Sequence, residues 1–158
     1  MDANNFQRIG AVSNAHVGRD FESVAKEIFW QQGILLDSNY SVPVGVADEK
    51  KIWHFDLGSD EPPILVECKS HRWTSGTNVP SAKITVWNEA MYYFHLAPSR
   101  FRKVLSVLRD LSEKRDETLA AYYVRSYGHL IPKDVEILEY DEESGEAMTV
   151  QTLTSTGR

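Results

Sequence analysis

Apolar residues recur every three or four positions between Arg19 and Gln32, at Phe21, Val24, Ala25, Ile28 and Phe29, and predict an amphipathic first helix closed by Gly33. Ahead of it, residues 1 to 15 are polar without a period, and Asn14 to Gly18 carries the turn and capping residues expected before a helix. Ile34 to Val46 reads as a first strand with an irregularity at Pro43, and Ala47 to Lys51 as a polar turn. Two strand-like runs follow, Lys51 to Leu57 and Ile64 to Ser70, with the turn-forming stretch Gly58 to Pro63 between them, and together they predict a β-hairpin. The loop His71 to Pro80 leads to a helix over Ser81 to His95, striped by Ile84, Trp87, Ala90, Met91 and Phe94. Beyond Pro98 a further helix is expected over about Ser99 to Arg115, with Phe101, Val104, Leu105, Leu108 and Leu111 inside. Leu119 to Val124 and Val135 to Tyr140 have strand composition and complete the pattern.

This alternation predicts an α/β (α+β) fold, a central mixed sheet of about four to five strands flanked by helices. Residues 1–140 read as a single domain, and residues 141–158 as a loosely attached tail, acidic and then rich in Ser and Thr. With 158 residues, 42% hydrophobic and 11% aromatic, the chain has enough apolar mass for one core. Its start lacks a charged region followed by an apolar one, and nowhere do eighteen apolar residues run together, so a cytoplasmic protein without a membrane partner is expected. The single cysteine, Cys68, excludes an internal disulfide and any cysteine-rich zinc site.

The chemistry concentrates in the predicted hairpin. A turn centred midway between Asp60 and Pro63 sets Asp56 directly opposite Glu67, and side-chain alternation puts Lys69 on the face of Glu67, with Val66 and Cys68 on the other. Two facing carboxylates repel unless something neutralises them. A divalent cation does so most simply, and Mg²⁺ favours one or two carboxylates with waters and substrate phosphate in its other positions. Beside it, the Lys69 ammonium is placed to orient the attacking water and to screen charge that builds on a phosphate.

Asp56, ten intervening residues and Glu67-Cys68-Lys69 resemble the PD-(D/E)xK nuclease superfamily, whose domain is the restriction-endonuclease-like core. The Pro of the family name is absent, and His54-Phe55 precedes the Asp. Upstream, Gly18-Arg19-Asp20-Phe21-Glu22 opens the first helix, where the family often carries an active-site Glu, and Glu22 is the matching position. The likeness covers roughly Val17 to Arg125. It implies Mg²⁺-dependent endonuclease-type hydrolysis of nucleic-acid phosphodiester bonds, with DNA as the expected substrate and Mn²⁺ as a possible substitute metal. Asp56, Glu67, Lys69 and Glu22 would be the catalytic residues. Asp56, Glu67, Glu22 and the backbone carbonyl of Cys68 would hold the metal. Some nuclease subfamilies also place Gln-x3-Tyr on the next helix, where this chain has Asn88 and Tyr92.

Net charge is −6, which at first opposes a nucleic-acid ligand, but its distribution changes the inference. Residues 133–158 carry two basic and seven acidic groups, whereas residues 69–109 carry seven basic groups against Glu89 alone. Within or beside this basic stretch, His54, His71, Arg72, Trp73 and Lys83 are the candidate nucleic-acid contacts, combining cations with a stacking surface. A chain this short suits a homodimer or a larger protein partner that supplies specificity. The alternative is a catalytically inactive domain of the same fold, serving as a binding or assembly module in a defence, repair or phage-related complex.

Overall fold

The computed structural model describes residues 14–75 and 78–150, with side chains placed from Asp20 onward. In chain order these residues form α1 (Asn14–Gln31), β1 (Asp37–Val44), β2 (Lys51–Asp60), β3 (Pro63–Lys69), α2 (Ser81–Leu96) and β4 (Arg102–Leu108). A short hairpin, β5 (Leu111–Ser112) with β6 (Glu117–Thr118), then leads through α3 (Leu119–Tyr127) and a 3-10 turn (Gly128–Leu130) to β7 (Val135–Asp141) and β8 (Glu146–Val150). The main sheet runs β1-β2-β3-β4-β7-β8. Its centre is parallel, β3 with β4 and β4 with β7, and its flanks are antiparallel. The fold is therefore mixed α/β, as the patterning predicts, with six strands in the main sheet.

Helices cover both faces. Ala25 and Phe29 of α1 pack on Leu57, Ile64, Val66 and Val104 on one side. On the other, Ile84, Trp87, Met91 and Phe94 of α2 and Leu119, Ala120 and Tyr123 of α3 pack on Phe55, Leu65, Leu105 and Val107. Helix α1 begins earlier than its apolar period suggests, so Asn14 to Gly18, expected as a turn, are its first residues, while the residues before them lie outside those described. At its end Gly33 has φ 82°, and the bonds from Gly33 N–H to Trp30 O (2.9 Å) and Ile34 N–H to Phe29 O (2.9 Å) close the helix in a Schellman turn.

Three expectations fail, each for a physical reason. The helix expected over Ser99 to Arg115 is strand β4. Val104 faces the α1 cluster, Leu105 and Val107 face the α2–α3 cluster, and a central parallel strand covered on both sides is apolar throughout, so its spacing mimics a helix. The strand expected over Leu119 to Val124 is helix α3. Its buried positions, Leu119, Ala120, Tyr123 and Val124, have helical spacing, and Thr118 caps the helix by accepting the Ala121 N–H at 3.1 Å. The supposed tail also contributes structure, because Glu146–Val150 pairs with β7 as an edge strand; the Ser/Thr-rich end, residues 151–158, lies outside those described.

Pro43 sits on edge strand β1, where its missing N–H costs no inner ladder bond. Gly58 answers a close approach: a Cβ there would lie 2.5 Å from Cγ of the Tyr40 ring. Gly58→Ala is expected to lower stability by about 1–3 kcal/mol through overpacking. Urea unfolding checks this, and an unchanged midpoint would mean that the ring does not rest on Gly58.

Candidate active site at the divergence of two strands

The β2–β3 hairpin turns at Glu61 and Pro62 and pairs Asp60 with Pro63, Ser59 with Ile64, Gly58 with Leu65 and Leu57 with Val66. In that register the next positions are Asp56 and Glu67, and there the ladder stops. From this point β2 stays with β1, whereas Glu67, Cys68 and Lys69 stay with Leu105, Ser106 and Val107 of β4. The strands part, and a notch opens between them.

The cause is local. Phe55 and Leu57 are two residues apart yet belong to cores on opposite faces, so side-chain alternation breaks at Asp56. Opposite it on β1, Asn39 is left-handed with φ 55°, and neither residue takes part in the β1–β2 pairing. The Cys68 N–H is satisfied by a side chain: Asp56 Oδ2 accepts it at 2.8 Å. One carboxylate oxygen of Asp56 is thereby fixed across the notch.

Glu67 stands beside it with only 6% of its surface exposed. Its Oε2 lies 3.5 Å from Lys69 Nζ, while Oε1 is buried without a hydrogen-bond partner. Burial pushes its carboxyl up to about 8, Asp56 adds to the rise by its charge, and Lys69 opposes it. Cys68 belongs to the opposite face, against the α1 cluster. Its thiol is pushed well up by burial and by the charges of Asp56, Glu22 and Glu67. Glu22, half-buried on α1, is therefore close enough to act on the same strand segment from the other side.

Among the described residues no group of three or more His, Cys, Asp or Glu forms a ready-made metal cage. What is present is a pair of carboxylates with one buried oxygen left unsatisfied. That donor set fits a hard cation such as Mg²⁺, which takes few protein ligands and retains waters.

The flanking candidates divide. His71 accepts a hydrogen bond at Nδ1 from Trp87 Nε1 (2.8 Å) and feels the charges of Lys69 and Lys83. His54 lies with Ser41, its cross-strand partner, at 2.9 Å, and because alternation breaks at Asp56 the two-residue spacing does not by itself place His54 on the face of that carboxylate. Arg72 pairs with Glu142 and lies 3.9 Å from Asp110. Trp73 donates its backbone N–H to Asp110 Oδ2 (2.7 Å) and its indole N–H to Asp110 O (2.9 Å), and its ring packs on Arg115 and Tyr122. Asn88 accepts the Tyr123 hydroxyl at 2.9 Å, and Tyr92 is exposed on the rim of a surface cavity with His95 and His129.

Charge that is segregated along the chain is paired in space. Arg102 binds Glu136 (2.7 Å), Lys103 binds Asp134 (2.8 Å), Arg109 lies 3.8 Å from Glu139, and Arg72 meets Glu142. The acidic C-terminal segment thus neutralises most of the basic stretch along β4 and β7. Lys83, by contrast, forms no ion pair among the described residues. Sequence reasoning missed Trp87 as the partner of His71; the need of a buried indole N–H for an acceptor was the available signal.

Comparison with known protein families, with curated proteins and with solved structures finds no match. No helix among the described residues is long and apolar enough to cross a membrane.

Proposed function

We propose that this chain is a Mg²⁺-dependent nuclease of the PD-(D/E)xK type, with a restriction-endonuclease-like core, hydrolysing nucleic-acid phosphodiester bonds and DNA in the first instance. The observation that carries the reading is the buried Glu67 carboxyl held beside Asp56 where the ladder ends, with no donor among the described residues on Glu67 Oε1. Two buried carboxyls side by side cost folding energy and can ionise together only if something neutralises them, and the cost is understandable where a cation is to be bound. The segment α1-β1-β2-β3-α2 supports the likeness, because it follows the expected element order and carries Glu22, Asp56, Glu67 and Lys69.

In this reading Asp56, Glu67 and the Cys68 carbonyl hold the metal, with Glu22 assisting from α1. Mg²⁺, when bound, supplies Lewis-acid polarisation of the phosphate and makes water a better nucleophile. Lys69 Nζ donates to the attacking water and to a non-bridging phosphate oxygen, which orients the one and stabilises charge on the other. Asp56, tied by its other oxygen to Cys68 N–H, keeps the notch in shape. A dimer or a larger partner supplies sequence recognition.

Calorimetric titration with Mn²⁺ tests the metal site. Glu67 must be ionised to ligate, so affinity is expected to rise with pH up to about 8, by as much as about tenfold per pH unit for one displaced proton. Asp56→Asn should abolish uptake. Uptake unaffected by Asp56→Asn, or none in the wild type, would contradict the site. The occupation of Arg72 and Trp73 by internal partners favours the second reading, a binding module that keeps the fold, and a metal-blind chain with a stable protein partner would establish it.

A further inference from the structure

The ring of His71 is fixed in one tautomer. An indole N–H only donates, so the 2.8 Å bond from Trp87 Nε1 requires His71 Nδ1 to be the unprotonated nitrogen, and the neutral ring carries its proton on Nε2. Trp87 is itself fully buried and packed edge-on against Tyr123 with ring centres 5.0 Å apart. The two rings lie at 25° to one another, 6.4 Å apart, so a flipped imidazole would forfeit the bond. Nε2 makes no hydrogen bond among the described residues and is free to donate.

Two ammonium groups lie near enough to act on this imidazole. Lys69 precedes it by two residues at the end of β3, and Lys83 lies in the first turn of α2, the helix that also carries Trp87. Burial first, and then the charges of Lys83 and Lys69, hold the imidazole well below its ordinary range, at about 4, so that it stays uncharged. Arg72, Arg102, Lys103 and Arg109 are paired with carboxylates of the C-terminal segment, whereas Lys83 pairs with none among the described residues and Lys69 lies 3.5 Å from Glu67 Oε2.

We propose that Lys69, the Nε2–H of His71 and the ammonium of Lys83 form a phosphate-binding track leading away from Glu67, in which His71 is a neutral donor positioned by Trp87. The track takes the phosphate next to the one being cleaved and so sets the strand's direction through the notch. This rests on the nuclease reading. It departs from the more obvious use of such a histidine as a general base, because the nitrogen able to accept a proton is already turned to Trp87.

The test measures binding of a fluorescein-labelled single-stranded oligothymidylate to the full chain by anisotropy, without metal and at several salt concentrations, alongside Mn²⁺ calorimetry. His71→Ala and Lys83→Ala are each expected to weaken oligonucleotide binding by about three- to tenfold, and Lys83→Ala to reduce the salt slope by about one. His71→Gln, which keeps a neutral donor, should recover most of the loss. Mn²⁺ affinity should stay within about twofold in all three. Nitrogen NMR of the wild type should show Nδ1 unprotonated and Nε2 protonated, and Trp87→Phe should mix the two tautomers. A protonated Nδ1, no oligonucleotide binding by the wild type, or binding indifferent to both alanine substitutions while Mn²⁺ uptake persists would overturn the track. Loss of Mn²⁺ uptake by the wild type would instead count against the nuclease reading itself.

Discussion

Glu67→Gln should make the metal-free protein more stable at pH 8, by about 3–5 kcal/mol, and leave it nearly unchanged at pH 4. In the folded chain the Glu67 carboxyl is pushed up to about 8, from an ordinary value of 4.5, first by burial and then by Asp56. The folded state therefore binds the proton more tightly than the unfolded chain. Between these two values the unfolded chain has lost the proton that the folded one retains, so stability falls as pH rises through the interval and levels off above the folded value. Glutamine has no proton to lose and keeps a donor toward Asp56, which removes the slope. Urea unfolding of both proteins across this range measures it, and parallel pH profiles would contradict the burial of an ionisable Glu67. Added Mn²⁺ should stabilise the wild type selectively, since it binds the ionised form.

Lys69→Met should lower the cleavage rate by about 10²–10³-fold, the effect seen when one preorganised transition-state donor is removed. The Lys69 side chain is 17% exposed and 3.5 Å from Glu67 Oε2, which holds its ammonium at the notch, where charge would develop in the proposed hydrolysis. Substrate affinity should change much less, because Lys83 and His71 remain to hold the strand. Lys69→Arg is not expected to rescue, since a planar fork does not fit the position of a compact ammonium. Single-turnover kinetics separate the two effects. A loss that falls entirely on affinity would make Lys69 a binding residue and leave the proposed chemistry without its donor.

The hairpin was the most legible part of the chain. Of the turn-forming stretch Gly58 to Pro63 only Glu61 and Pro62 make the turn, and the observed pairing of Leu57 with Val66 is the register in which Asp56 comes opposite Glu67. What sequence could not display is that the ladder ends there. Regular alternation is the premise of any face assignment, and Asp56 breaks it, since Phe55 and Leu57 belong to cores on opposite faces. Val135 to Tyr140 is a strand as its composition predicts, whereas β4 reads as a helix because burial on both of its sides erases the period that distinguishes strand from helix, and Leu119 to Val124 reads as a strand although its buried positions have helical spacing. Charge was misleading in a different way. A basic stretch and an acidic segment thirty residues apart looked like a ligand surface and a tail, yet parallel pairing of β4 with β7 brings Arg102 to Glu136 and Lys103 to Asp134. Lys69, His71 and Lys83, which meet no carboxylate of that segment among the described residues, form a smaller and more specific candidate surface than the composition implies.

The notch between β2 and β3 stands or falls on one measurement, cleavage of supercoiled plasmid and of single-stranded DNA by purified protein with Mg²⁺ or Mn²⁺, set beside Glu67→Ala and Lys69→Ala prepared identically. Metal-dependent cleavage by the wild type is expected, abolished by EDTA and lost in both variants while their folds are retained. Equal activity in all three proteins, or none in the wild type with either metal, would contradict it.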